Sequence, residues 1–171
     1  MERGVRTLMS ILLALLMLTV SACGFQLRGA QTLPFSSLYI PIEGWETGGV
    51  LKRNIRLLGS TQVVETPQEA QAVLTLIGES REKNVLSLSG TGRVREYQLI
   101  YRLAFRVNDL KGREFIPPTE IILVRELTFS DDQVLAKSQE EDLLYRDMQN
   151  DVVQQLMRRL AAAKAPAAEA K

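Results

Sequence analysis

The stretch YQLIYRLAFRV, residues 97–107, alternates apolar side chains with mostly polar ones along its whole length. Because successive side chains of a β-strand point to opposite faces of the sheet, this period of two predicts a strand with one buried face and one mostly solvent-exposed face. The residues expected on the buried face are Tyr97, Leu99, Tyr101, Leu103, Phe105 and Val107. An apolar sheet face has to be covered by a second layer, so other parts of the chain should supply that layer.

The rest of the sheet is predicted from shorter patterns around this strand. Its other strands are expected at residues 38–42, 72 to about 83 and 120–129, with residues 62–65 as a further short candidate. Pro41 cannot donate to a β-ladder, so the first strand should end there or lie near an edge. The sequences SGTG (residues 89–92) and NDLKG (residues 108–112) are typical of turns. Strands joined by such short turns form a mostly antiparallel sheet.

Two helices are predicted to supply the second layer. The first should run from about Val50 to Leu58, opened by the preceding Thr-Gly-Gly and stopped by Gly59. The second should begin at Ser138, because Ser138 and Glu141 match a capping box. Its apolar stripe is Leu144, Met148, Val152, Leu156 and Leu160, joined by Leu143, Val153 and Met157. Packing against the sheet is the simplest role for this stripe, and binding of a partner is the alternative.

The expected fold is therefore a two-layer α+β domain. A sheet of about four mostly antiparallel strands carries two helices on one face. The domain should occupy residues 23–160, followed by a flexible tail rich in Ala, Lys and Pro at residues 161–171.

Residues 1–22 are predicted to be a lipoprotein signal peptide. Basic Arg3 and Arg6 precede a nearly unbroken apolar run over residues 8–20, which is short for a membrane-spanning helix. Val20-Ser21-Ala22-Cys23 resembles the bacterial lipobox, in which the chain is cleaved before the cysteine. That resemblance implies that Cys23 carries S-diacylglycerol and an N-palmitoyl chain. Two or more acyl chains hold a protein stably on a membrane, whereas one chain gives only marginal binding.

The composition excludes several classes of function. The chain has no His and a single Cys, so zinc, copper or haem sites would lack their usual ligands, and Ser-His-Asp or Cys-His catalysis lacks its base. Loss of residues 1–22 would leave 19 basic and 19 acidic residues, a balance that argues against a nucleic-acid surface. We therefore expect no cofactor, no metal and no enzymatic activity, although carboxylate, Lys or Tyr chemistry stays formally open.

Three basic residues near predicted turns are candidates for ligand binding. Arg93 and Arg95 flank the turn before the central strand, and Lys137 precedes the predicted second helix. They are either solvated charges or partners for the phosphates of an anionic amphiphile.

Three short motifs give the chain a family resemblance. The sequence CGFQLRG, residues 23–29, resembles the CG[FW]HLR opening of the LPS-assembly lipoprotein family, LptE. Glu96-Tyr97-Gln98 resembles the start of a strand in that family, and Leu135-Ala136-Lys137 with the acidic residues after it resembles a third family segment. Two departures are Gln26, where the family often has His, and Gly90, where some members carry an Arg that is thought to contact lipopolysaccharide.

The resemblance implies an outer-membrane lipoprotein on the periplasmic side. It would plug a large outer-membrane β-barrel LPS-assembly protein of the LptD type, assist its assembly, and bind lipopolysaccharide through residues such as Lys137, Arg93 and Arg95. Gly24 would permit sorting to the outer membrane. The first alternative is a lipoprotein that binds a lipid alone in the periplasm, which would need a ligand cavity. A weaker one is an anchored hydrolase, which would need a carboxyl group with a raised pKa in a cleft.

The role of Cys23 can be tested by replacing it with serine. Because the thioether to diacylglycerol forms on the thiol, Cys23→Ser should leave an unprocessed precursor that takes up no acyl label. Metabolic labelling with a radioactive fatty acid, followed by electrophoresis, measures both effects. Cleavage and labelling at the wild-type level would show that the lipobox interpretation is wrong.

Overall fold

The computed structural model describes residues 32–41 and 43–164, which fold around one apolar core. The elements, in chain order, are β1 (Ser37–Tyr39), α1 (Glu46–Leu58), β2 (Gln62–Val64), β3 (Ala72–Leu88), β4 (Val94–Asn108), β5 (Glu114–Thr128) and α2 (Val134–Ala162). Short 3₁₀ turns cover Pro67–Glu69 and Asp131–Gln133. The predicted α+β class is confirmed, with five strands in place of about four. The predictions for residues 1–31 and 165–171 lie outside the described residues.

The sheet has the strand order β2-β1-β3-β4-β5 and is mixed. β1 runs parallel to both β2 and β3, while β3, β4 and β5 form an antiparallel meander of long strands. β1 stops at Tyr39, two residues before Pro41, as a proline requires. Ile42, the predicted last residue of this strand, lies outside the described residues.

The buried face predicted for β4 is confirmed. Leu99, Tyr101, Leu103, Phe105 and Val107 are each completely buried, and Tyr97 is half-buried near the end of the sheet. Both helices lie over this face: Leu51 and Ile55 of α1 and Met148, Val152, Leu156 and Leu160 of α2 belong to the same core. The stripe of α2 is therefore packed against the sheet as predicted, except for Leu143, which is exposed.

α1 begins at Glu46, four residues earlier than predicted, so its glycines lie inside the helix. A Cβ on Gly48 would come within 2.8 Å of the Pro41 carbonyl oxygen and of the Trp45 ring. Gly48 is thus needed for close packing and not to open the helix. Gly59 ends the helix as predicted, in the left-handed conformation (φ 68°) that glycine adopts without strain.

β5 also begins earlier than predicted, at Glu114, so Pro117 and Pro118 lie within it. β5 is an edge strand, and its ladder with β4 is irregular between Phe105 and Val107, opposite this segment. Edges and bulges are where a strand tolerates residues that cannot donate to the ladder.

The capping box predicted for α2 is wrong. The helix begins at Val134, directly after the 3₁₀ turn, and no side chain caps it at Gln133. Ser138 therefore lies inside the helix. The backbone is already helical when it reaches Ser138, so the local pattern of Ser138 and Glu141 has no free N–H groups at a helix start to satisfy.

A partly buried polar cluster joins α1 to the sheet. The Glu79 carboxylate of β3 accepts hydrogen bonds from the backbone N–H groups of Glu46 (2.9 Å) and Thr47 (3.3 Å), and also from the Thr47 and Tyr101 hydroxyls. It therefore caps the first turn of α1 from a distant strand. Arg81, two residues further along β3, forms an ion pair with Glu46.

The phenol of Tyr101 should make the stability of the fold sensitive to alkaline pH. Burial and the hydrogen bond to Glu79 raise the pKa of Tyr101 from 10 to about 12. The folded state therefore keeps this proton longer than the unfolded state. The resulting stability is fully present below pH 10 and is lost as the pH rises from 10 through about 12. The loss should reach about 2 kcal/mol.

Urea unfolding of wild type and Tyr101→Phe, followed by circular dichroism between pH 9 and pH 12, measures this component as the difference between the two curves. The variant should be less stable at pH 9, by about 1 kcal/mol for the lost hydrogen bond. It should then lose less stability than wild type as the pH rises. Parallel curves across this range would contradict the assignment.

Candidate functional site

The candidate site is the end of the sheet where the β3–β4 hairpin closes. The Ser89 N–H donates to the Arg93 carbonyl (2.7 Å) and the Gly92 N–H to the Ser89 carbonyl (2.9 Å), which confirms the predicted turn. Gly92 has a φ of 79°, a conformation that favours glycine. We call this region, residues 85–95 together with residues 129–137, the tip.

The start of α2 is held against the hairpin at the tip. The Phe129 N–H donates to the Arg95 carbonyl (2.7 Å), so the chain continues beside β4 after β5 ends. The Arg93 guanidinium lies 3.5 Å from the Asp131 carboxylate. These two contacts bring all three predicted cations to one end of the domain, although they come from two separate parts of the sequence.

Arg93 and Arg95 are the accessible cations of the tip. The side chain of Arg93 is 75% exposed, and its one ion pair, with Asp131, is long and exposed on both sides. Such a pair contributes about 0–1 kcal/mol and exchanges readily for another anion. Arg95 is exposed and has no carboxylate within 4 Å among the described residues.

Lys137 has a different position from the predicted one. It lies in the first turns of α2 and not before the helix, and its side chain is only 15% exposed. Its ammonium group donates to the Glu140 carboxylate (2.8 Å) and to the Thr128 hydroxyl (2.9 Å). A ligand phosphate would therefore have to displace or share Glu140.

Exposed apolar side chains accompany these cations. Val85, Leu86 and Leu88 at the end of β3 are 54%, 42% and 57% exposed. Val134 and Leu135, in the first turn of α2, are 55% and 75% exposed. The tip therefore combines positive charge with apolar surface, the two properties that an anionic amphiphile would need in a binding site.

Beneath the tip lies a group that the sequence analysis did not single out as a site. The Tyr97 and Phe129 rings pack edge to face with centroids 5.3 Å apart. The Lys83 ammonium lies 4.2 Å from the Tyr97 ring centroid and pairs with Glu141 of α2 at 2.6 Å. A signal was present in the sequence, because Glu79, Arg81 and Lys83 share the two-residue period that places them on the helix side of the sheet.

The family model described as Lipopolysaccharide-assembly, LptE, matches residues 35–160, which include every described strand and nearly all of α2. The chain belongs to the LptE family.

Individual relatives agree with this assignment. The LPS-assembly lipoprotein LptE of Yersinia enterocolitica is 31% identical over 159 residues, which cover 90% of this chain and 75% of the relative. The solution structure of an uncharacterized lipoprotein B from Nitrosomonas europaea is 43% identical and superimposes with a TM-score of 0.71, over 81% of this chain and 91% of that one. The crystal structure of the rare lipoprotein B from Shewanella oneidensis is 32% identical, with a TM-score of 0.62 over 74% and 92% of the two chains.

Of the three LptE motifs noted in the sequence, one lies in the tip and another lies next to it. Glu96-Tyr97-Gln98 lies near the start of β4, and Leu135-Ala136-Lys137 lies at the start of α2. The first motif, with Cys23 and Gly24, lies outside the described residues. Gly90 occupies open space, since nothing lies within 4 Å of where a Cβ would stand. An arginine at position 90, the residue that the family resemblance gives for some members, would therefore not clash with its surroundings.

Two carboxyl groups within residues 32–41 and 43–164 have a shifted pKa. The carboxyl groups whose pKa is shifted there are Glu65, lowered mainly by its hydrogen bond and charge interaction with Lys52, and Asp109. Burial alone would raise the pKa of Asp109, but hydrogen bonds from Arg113 and the Lys111 N–H outweigh it. Both shifts are opposite to the raised pKa that an acid catalyst needs. No cluster of metal-ligating side chains occurs in these residues, and none of their helices is long and apolar enough to cross a membrane.

Proposed function

We propose that this LptE-family protein is anchored through Cys23 to the periplasmic side of the outer membrane. There it fills the lumen of a large β-barrel LPS-assembly protein of the LptD type, and its tip binds lipopolysaccharide during insertion into the outer leaflet. The observation that carries the proposal is the tip itself, where accessible arginines and exposed apolar side chains lie at one end of a well-packed domain. The protein acts by binding and not by catalysis.

The packed interior favours a plug over a free lipid carrier. The core between the sheet and the two helices is filled by large buried side chains such as Tyr101, Phe105 and Met148. The pockets found on the described residues are open depressions: one is lined by charged side chains such as Glu46, Glu79 and Arg81, and another by mostly apolar residues that include Phe115 and Ile116. A carrier needs an enclosed apolar cavity. A plug needs a solid body with a polar surface, because the lumen of such a barrel is wet and polar.

Arginine at the tip suits the phosphates of lipid A. The guanidinium group presents planar, paired donors that match phosphate oxygens, and the bonds are strengthened by opposite charge. Arg95 is free of a carboxylate among the described residues, and Arg93 has to give up only a weak exposed pair. Lys137 can contribute after exchanging Glu140, so we rank it behind the two arginines.

Charge reversal at the tip tests lipopolysaccharide binding. Arg93→Asp combined with Arg95→Asp should weaken binding by the purified full-length protein by about tenfold or more, since two charge-assisted contacts are lost. The loss should shrink as the salt concentration rises, because screening already weakens the wild-type contacts. Lys137→Gln should have a smaller effect. Arg53→Asp, an exposed site on α1, is the matched control and should bind like wild type. Wild-type binding by the double variant at low salt would show that the arginines are only solvated charges.

The plug role is tested through the barrel. Deleting the protein should lower the amount of correctly assembled barrel, because an unfilled polar lumen is a poor folding intermediate. The tagged protein should bring the barrel with it through purification in a mild detergent. The charge-reversal variant at the tip should still do so, which separates ligand binding from barrel association. Unchanged barrel levels together with no co-purification would rule out the plug role.

A further inference from the structure

We propose that the open edge of β5 binds an extended segment of a partner protein, which adds to the five-stranded sheet as a further strand. The segment carries basic side chains opposite Glu120 and Glu126 and apolar side chains opposite Ile122 and Val124. This contact lies outside the tip and goes beyond the proposed function, because neither lipopolysaccharide binding nor membrane anchoring assigns a role to this edge.

β5 is the long open edge of the sheet. Within the described residues, the strand order β2-β1-β3-β4-β5 leaves one side of β5 without a neighbouring strand over 15 residues, whereas the opposite edge, β2, has only three residues. The backbone N–H and C=O groups of an edge strand can pair with another chain, and proteins commonly keep such edges short or covered. The length of β5 makes it the edge at which a strand can be added.

The ladder with β4 determines which backbone groups of β5 face outward. The Phe129 N–H donates to the Arg95 carbonyl of β4, and the register has no irregularity from there back to residue 119. Because hydrogen-bonded and non-bonded pairs alternate along an antiparallel ladder, the odd-numbered residues of this segment bond to β4. The even-numbered residues direct their N–H and C=O groups away from the sheet: Glu120, Ile122, Val124 and Glu126.

The outward groups are weakly satisfied within the domain. Arg125 donates to the Val124 carbonyl at 3.1 Å, and Arg159 of α2 donates to the Glu120 carbonyl at 3.4 Å. The second distance is longer than that of an ordinary N–H···O hydrogen bond, so an incoming N–H can replace it. The Ile122 carbonyl and the outward N–H groups have no protein partner among the described residues.

The side chains along this edge indicate the chemistry of the partner. Ile122 and Val124 are 46% and 43% exposed, and they lie on the sheet face away from the helices, since Ile121 between them in the alternation is buried in the core. Glu120 and Glu126 flank them and are exposed. Opposite charges and apolar pairs on neighbouring strands stabilise pairing, and like charges oppose it. A segment with cations at its ends and apolar side chains between them therefore matches the edge.

A second copy of this chain matches the edge poorly. An antiparallel pair of β5 strands that places Ile122 opposite Val124 of the other copy also places Glu120 opposite Glu126, so like charges meet twice. A strand inside a closed sheet has both of its edges occupied and cannot pair again. The occupant is therefore an extended loop or terminal segment of another protein.

Peptide binding to the full-length chain tests the edge directly. The probe is the peptide KTVTVTK, whose alternate residues match residues 120–126 in either direction. At about ten times its dissociation constant, it should slow amide hydrogen exchange at Ile122 and Val124 about tenfold, as measured by NMR. Exchange at Leu123, whose N–H already bonds to β4, should change little. The peptide KTPTPTK has the same charge but lacks the N–H groups that pairing needs, so it should have no effect.

Charge exchange separates strand pairing from general electrostatic attraction. Glu120→Lys combined with Glu126→Lys should bind KTVTVTK about tenfold more weakly than wild type and should bind ETVTVTE more tightly than wild type. The matched control is Glu43→Lys combined with Glu69→Lys, which changes the net charge equally at two exposed sites outside β5. The control should bind both peptides like wild type.

Equal protection by the valine and proline peptides would overturn the proposal, because binding would then depend on charge alone. So would no detectable binding of KTVTVTK at millimolar concentrations, or an unchanged peptide preference in the variant with lysines at positions 120 and 126. Wild-type protein that sediments as a dimer, with the Ile122 and Val124 amides already protected, would also overturn it, in favour of a second copy.

Discussion

The structure depends on the burial of one face of β4. Five consecutive inward-facing side chains, from Leu99 to Val107, are completely removed from water, and each contributes about 1.5–3 kcal/mol to the fold. Both helices pack over this face, and β3 and β5 flank β4 within the sheet. Burial of this face decreases from Leu99 toward the start of β4: Tyr97 is half-buried and Arg95 is exposed. The tip is thus the part of the sheet where the core has ended but the strands continue.

The outer half of β3 shows how charge can lie on the helix side of the sheet. Glu79 caps α1 and accepts the Tyr101 hydroxyl, and Arg81 lies over the Tyr101 and Tyr145 rings at 5.4 Å from each centroid. Lys83 pairs with Glu141 of α2. Each charged group has a partner on a helix, so these contacts tie both helices to the strand that leads to the tip. The hairpin at the tip is therefore supported by both helices and is not a free loop.

Periodic patterns predicted the fold well, whereas local signals were right for the 89–92 turn and for the stop at Gly59 but wrong for the starts of both helices. The alternation in β4 and the four-residue stripe of α2 reflect burial over many residues, so no single contact could override them. The capping box at Ser138 and the Thr-Gly-Gly before Val50 are patterns of a few residues, and the tertiary structure placed both inside helices. The sequence identified the basic residues of the candidate site but not the contacts that surround them. The sequence could not show that the Lys137 ammonium donates to the Thr128 hydroxyl, nor that the Phe129 N–H donates to the Arg95 carbonyl, because both contacts depend on how separate elements pack.

The length of the β3–β4 hairpin has a consequence for how this fold can vary. One added residue in either strand would turn everything beyond it to the other side of the sheet, so the hairpin can lengthen only by two residues per strand, or by one residue taken up in a bulge. The ladder already has such irregularities, between Leu76 and Gly78 and again between Val85 and Leu88. Each addition of two residues to both strands moves the loop by about 7 Å along the strand axis. Insertions and deletions in homologous hairpins should therefore occur in even numbers, or with a compensating bulge, and hold the loop at discrete heights above the core.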